Sequence, residues 1–180
     1  MDTKEYKQVF GDVKLREDSK AKGRWETNHG GEYFAAGVGG SITGRGADLL
    51  IIDDPHTEQD SMSDSAMDRA YDWYSSGPRQ RLQPGGRICV VMTRWATDDL
   101  TGRLLKSQSE PKADKWNVVE FPAIMPSGEP VWPEYWPLEE LEKVKASVSM
   151  KNWNAQYMQD PTSEEGAIIK REWWLSLIHI

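Results

Sequence analysis

The chain has 180 residues, 38% of them hydrophobic and 28% charged, with a net charge of −7. This composition suits one ordinary globular domain with a sizeable core, and it argues against a disordered chain or a broadly basic nucleic-acid binder, leaving only local contact with DNA. No run approaches the roughly 18 apolar residues of a membrane span, Met1-Asp2-Thr3-Lys4-Glu5 lacks the apolar core of a signal peptide, and one cysteine excludes an internal disulfide framework, so the chain is expected to stay in a cytoplasm.

Residues 1–30 are polar and weakly patterned; Tyr6, Val9, Phe10 and Val13 predict a partial helix followed by loop. The stretch GGEYFAAGVGGSITGRG from Gly30 to Gly46 is dense in glycine, which lets backbone approach backbone or ligand closely, and Tyr33 to Ala36 is a candidate strand within it. Leu49 to Ile52 is a continuous apolar run, which predicts a strand buried on both faces of a parallel sheet, and it ends in Asp53-Asp54-Pro55. Ala66, Met67, Ala70, Tyr71 and Tyr74 recur on one helical face, with Ser63 or Asp64 as cap and Gly77-Pro78 as stop.

The turn Pro84-Gly85-Gly86 leads into a second buried strand, Arg87 to Met92, in which Cys89 reads as a buried structural cysteine; the strand ends in Thr93-Arg94-Trp95. Asp98 and Asp99 open a helix striped by Leu100, Leu104 and Leu105, and a third strand is expected over Trp116 to Phe121, closed by Pro122. This alternation is the signature of an α/β sheet with right-handed crossovers. Prolines 126, 130, 133, 137 and 161 then separate two helices, one from Leu138 with Leu141, Val144 and Val148 on one face, the other from about Ser149 to Tyr157. Residues 126–172 read as a hinge or docking arm, and the tryptophans of the last third of the chain, Trp132, Trp136, Trp153, Trp173 and Trp174, are expected to pack a C-terminal segment onto the body instead of stacking on bases.

In parallel α/β sheets, ligands collect beyond the carboxyl ends of the strands. Two such ends here are polar. Asp53-Asp54 suits a magnesium site beside a phosphate, with Asp53 on the metal and Asp54 polarising an attacking water, or else it is an ordinary Asp-Pro turn. Thr93-Arg94 suits contact with a γ-phosphate and neutralisation of transition-state charge, or else it is a surface turn. Gly39 to Gly46 only approaches a phosphate-binding loop, since Arg45-Gly46 replaces Lys-Ser/Thr and the segment leads into a strand instead of out of one. His29, His56 and His179 have no zinc-ligand spacing, and His56 reads as a solvated loop histidine or as a support for the aspartates.

The runs GVGGSITGRGADLLIIDDP, DWYSSGPRQRL, PGGRICVVMTRWATDDLTGRLL and WNAQYMQDPTSEEGAIIKREWW, taken in this order over residues 23–174, closely resemble the large terminase subunits of tailed phages. That resemblance implies a partial RecA-like sheet of the ASCE P-loop NTPase type, without its Walker A strand and loop. Residues 1–125 would be the rear of the ATPase motor domain, residues 126–174 a Pro- and Trp-rich linker towards a nuclease domain, and residues 175–180 a translated adaptor sequence, which marks the chain as a fragment. It further implies that Leu49 to Asp53 is the Walker B strand, Asp53 the magnesium ligand, Asp54 the catalytic carboxylate, Met92-Thr93-Arg94 the coupling motif, and Arg45 an arginine finger reaching a neighbouring subunit. The parent would hydrolyse ATP with Mg2+ and cleave DNA, with double-stranded DNA, the portal protein, the small terminase subunit and a homo-oligomeric ring as partners. It would work in the cytoplasm of an infected bacterium without staying in the virion, and this chain alone would be inactive, its phosphate loop and nuclease carboxylates lying elsewhere. Another RecA-like or helicase-like ATPase, or a non-enzymatic module that docks on a portal or other partner, is the alternative.

Overall fold

A computed structural model describes residues 3–162, and in it the chain has a mixed α/β fold with one antiparallel and one parallel sheet. The adaptor-like tail, Trp173, Trp174 and the end of the expected arm lie outside the described residues. Contacts divide the chain after Gly44 into two compact units. No helix among the described residues is long and apolar enough to cross a membrane.

The first unit opens with helix α1, Lys4–Val9, capped by the Thr3 hydroxyl, which accepts the Tyr6 N–H at 3.2 Å. Strands β1 (Leu15–Ala21), β2 (Arg24–Thr27) and β3 (Glu32–Phe34) then form an antiparallel meander. Loop was expected across β1 and β2, and the strands went unseen because Leu-Arg-Glu-Asp-Ser-Lys-Ala has no apolar alternation. They are held by polar and aromatic pairs across strands: Arg16 with Glu26, Arg24 with Glu32, and Trp25 stacked on its register partner Tyr33 with centroids 4.7 Å apart. The β2–β3 turn needs Gly30, whose φ of +80° is the left-handed region that glycine enters freely.

The second unit is built on two parallel strands, β4 (Ala47–Asp53) and β5 (Leu82–Val91), in register from Leu49 opposite Arg87 to Asp53 opposite Val91. Helix α2, Asp64–Ser76, connects them, and helix α3, Leu100–Ser107, follows β5. Of the stripes read from the sequence, Ala66, Met67, Ala70 and Tyr74 of α2 and Leu100 and Leu104 of α3 are buried, while Tyr71 and Leu105 are half-buried. Ile52, Tyr74, Leu100 and Leu104 form the core, with Leu50, Ile88, Val90, Met92 and Trp116 packed against it.

Side chains alternate across a sheet, and among the described residues only one face of this one is covered. Leu49 and Ile51 are 58% and 59% exposed while Ile52 is 3% exposed, so the expectation of a strand buried on both faces is corrected to one face. Cys89 lies opposite Ile51 and is exposed, not buried, for the same reason. The expected third strand at Trp116 to Phe121 is also absent among the described residues. Trp116 packs on the core and its backbone N–H donates to Gln108 Oε1 at 3.3 Å, but the segment finds no ladder partner among the described residues, and Val118, Val119 and Phe121 remain exposed. Apolar β-branched composition favours extension, but a strand also needs an edge to pair with.

Beyond Phe121 the chain turns back on itself. The Ala123 N–H donates to the Tyr157 carbonyl at 2.7 Å and the Val131 N–H to the Ala123 carbonyl at 3.0 Å. Helix α4, Leu138–Ser147, buries Leu141, while Val144 and Val148 are half-buried. The second expected helix is present as α5, Met150–Asn152, running into a π-helical turn at Trp153–Tyr157. There Trp153 is buried and stacked on Tyr157 with centroids 4.9 Å apart, whereas Trp132 and Trp136 are exposed, so the expectation that the arm's tryptophans pack inward holds for Trp153 and not for those two.

Candidate active site at the carboxyl ends of the parallel strands

Strand β4 delivers Asp53 as its last residue, opposite Val91 at the end of β5. The chain then turns sharply at Asp54, whose φ of +41° is left-handed, a conformation that aspartate tolerates better than most residues and that nonetheless stores strain. The ladder continues one step past the strand, the Asp54 N–H donating to the Val91 carbonyl at 2.9 Å. The Asp54 carboxylate in turn lies 3.4 Å from the Thr93 amide nitrogen, accepting its N–H. Asp53, Asp54 and Thr93 therefore meet at one end of the sheet, as a shared site requires.

Arg94 is placed differently from a group held out to a ligand. Its Nε donates to both Asp99 carboxylate oxygens, at 2.9 and 3.2 Å, and a terminal guanidinium nitrogen donates to the Ala96 carbonyl at 3.3 Å. Asp99 is fully buried and also accepts the N–H groups of Trp95, Ala96 and Gly102 at 3.0, 3.3 and 2.8 Å. One carboxylate thus caps α3, neutralises Arg94 and folds the 94–99 loop, which is how a buried charge becomes tolerable. The Arg94 N–H lies 3.4 Å from Gln159 Oε1, so the chain after the π turn reaches the same strand end.

Arg45 lies before β4, at the opposite end of the strand from Asp53. At the strand rise per residue, about 20 Å of β4 separates it from the two aspartates. The fold does not bring Arg45 to Asp53 and Asp54 of its own chain.

The residue that sequence reasoning undervalued is His56. Expected as a solvated loop histidine, it is buried, and its Nε2 accepts the Leu100 N–H at 2.8 Å. Burial holds its pKa below the ordinary imidazole value, against the opposing pull of Asp99 and Asp60. Gly102 was missed as well: a Cβ at that position would fall 1.9 Å from the Thr97 carbonyl oxygen, so only glycine lets α3 close against the loop. Neither role has a local signature in sequence, because each depends on what the fold places opposite.

Asp53 and Asp54 are both exposed at the strand end and offer hard oxygen donors, which fits magnesium, an ion that keeps several waters and takes one or two carboxylates beside substrate phosphates. Among the described residues no group of three or more His, Cys, Asp or Glu side chains forms a self-sufficient metal cage. No protein-family model matches the chain, and no curated protein sequence matches it.

Proposed function

We propose that this chain is the rear part of the ATP-hydrolysing motor domain of a phage terminase large subunit, on a RecA-like sheet whose phosphate-gripping loop lies outside these residues. The observation that carries the reading is the junction of Asp54 with the Thr93 N–H across the ends of two adjacent parallel strands. Asp53 would hold magnesium, Asp54 would orient and polarise the attacking water, and the 93–94 backbone would sense that carboxylate directly. Magnesium, when bound, would neutralise charge on the phosphate oxygens. The parent would drive double-stranded DNA through a portal as a ring of subunits, with the small terminase subunit as partner, in the host cytoplasm. Arg45, remote from its own chain's aspartates, would serve only a neighbouring subunit.

Support comes from the order of motifs in the sequence and from a parallel βαβ unit ending in two carboxylates. The deciding experiment is Asp54→Ala in a longer protein carrying these residues together with a Gly-rich Lys-Ser/Thr loop. ATP turnover should vanish while the circular dichroism spectrum is retained; unchanged turnover would overturn the assignment. The 180-residue chain alone should show no magnesium-dependent turnover.

A further inference from the structure

Between Trp116 and Glu142 the sequence carries six glutamates and no lysine, arginine or histidine. In the same stretch the fold leaves large aromatic side chains in solvent. Trp132 and Tyr135 are 58% and 65% exposed and stack with centroids 4.9 Å apart, and Trp136 meets Tyr135 edge-on at 5.9 Å. Single exposed apolar residues need no explanation, but a contiguous aromatic surface on a charged chain does.

The platform is held before any partner arrives. The Tyr135 and Trp136 N–H groups both donate to the Trp132 carbonyl, at 3.2 and 2.8 Å, and the Val131 N–H is tied to Ala123. Prolines 130, 133 and 137 restrict the backbone on either side. Rigid aromatic area costs little conformational entropy to bind, which is why such residues anchor interfaces.

The charge around it selects the partner. Glu134 sits between the rings in sequence, and Lys143, the first cation after the acidic stretch, is already paired with Glu139 and Glu140 at 3.0 and 2.7 Å. A field of carboxylates repels a phosphate backbone, while ring faces and carboxylates together attract guanidinium and ammonium groups. We propose that Trp132, Tyr135 and Trp136 form a docking surface for an arginine- and lysine-bearing segment of a partner protein, with its cations over the rings and Glu134 at the rim. This surface uses none of the residues assigned to the Asp53–Asp54 strand end, and the proposal stands whether or not that end hydrolyses ATP.

The test titrates the full chain with a short synthetic peptide of alternating arginine and leucine, with the same peptide carrying glutamate for arginine, and with duplex DNA, read by tryptophan fluorescence and calorimetry. The arginine peptide should bind, and the glutamate peptide and DNA should not. Trp132→Ala with Tyr135→Ala, and separately Glu134→Lys, should each weaken arginine-peptide binding by roughly tenfold or more, while Met62→Ala, at an exposed position outside the acidic aromatic stretch, should leave it unchanged. Circular dichroism confirms that the variants fold, since all the altered side chains are exposed. Failure of the arginine peptide to bind, equal affinity for all variants, or equal binding of the glutamate peptide or of DNA would each overturn the proposal.

Discussion

His56 and Leu100 join the loop after one strand to the start of a helix: the buried imidazole Nε2 accepts the Leu100 N–H at 2.8 Å. The first amides of a helix have no partner within it, and here a side chain 44 residues earlier supplies one. An accepting Nε2 requires the neutral ring with its proton on Nδ1. A protonated ring would lose that acceptor and place positive charge at the positive end of the α3 dipole.

The pH dependence follows with a definite sign. Burial depresses the folded-state pKa of His56 below its ordinary value of 6.5. Above 6.5 both folded and unfolded chains hold it neutral and its contribution to stability is complete. As pH falls below 6.5 the unfolded chain takes up a proton that the folded one resists, so stability declines until the folded pKa is reached. Asp60, held below the usual carboxylate value of 3.8 by the Thr57 amide and hydroxyl, acts only in a more acidic window. Urea denaturation at intervals from about pH 8 to about pH 5 should show the decline in the native chain and lose most of it in His56→Gln. The glutamine side chain would keep an acceptor for the Leu100 N–H, whereas His56→Ala should cost about 1–3 kcal/mol by leaving that amide unpaired.

Asp99 and Arg94 make the second prediction. Removing one member of a buried ion pair strands the other, so Asp99→Ala should destabilise by about 3–5 kcal/mol. Asp68→Ala, which releases Arg103 at a partly exposed pair, should cost no more than about 1 kcal/mol. Equal losses in chemical denaturation would show that the Arg94 pair is not structural. Because Arg94 holds its own loop, loss of activity in an Arg94 variant of the parent has to be compared with its loss of stability before a transition-state role is assigned. Thr93→Ala avoids this difficulty, since Asp54 is met by the Thr93 backbone N–H, which the substitution retains.

The reach of the sequence is clear from these residues. The β4–α2–β5 unit was legible because Leu49 to Ile52 is a continuous apolar run and Ala66 to Tyr74 carry the period of a helix. Asp53, Asp54 and Thr93 were legible because strand ends in a parallel sheet converge. The β1–β2 strands were not, as their cohesion comes from ion pairs and the Trp25–Tyr33 stack across strands, which leave no mark along either strand alone. Burial of His56 and Asp99 was equally hidden: a polar residue is buried when the fold supplies its hydrogen-bond partners, and those partners lie on another segment or in the turn of a loop.

Gly102 tests how tightly α3 closes on that loop. Gly102→Ala would gain helix propensity of about 1 kcal/mol at an unconstrained site. Here the added methyl meets the Thr97 carbonyl oxygen, a backbone atom that cannot swing aside. The net effect should be destabilisation by about 1–3 kcal/mol, measurable as a lower thermal midpoint; a rise would show that the 94–99 loop yields without cost.

The two faces of β4 give the last prediction, because adjacent residues of one kind sit in opposite surroundings. Ile52 is buried under α2 and α3, and Ile52→Ala should cost about 2–5 kcal/mol through lost burial and the cavity it leaves. Ile51, on the other face, is 59% exposed, and Ile51→Ala should cost about 1 kcal/mol or less, mostly through β-propensity. The contrast is set by the one face of the sheet that is covered among the described residues. If a longer protein containing these residues places another layer on the Leu49–Ile51 face, the Ile51→Ala cost there should rise towards that of Ile52→Ala. Matched denaturation curves of both variants in both proteins would measure it, and an Ile51 cost that stays small in the longer protein would show that this face remains open to solvent there too.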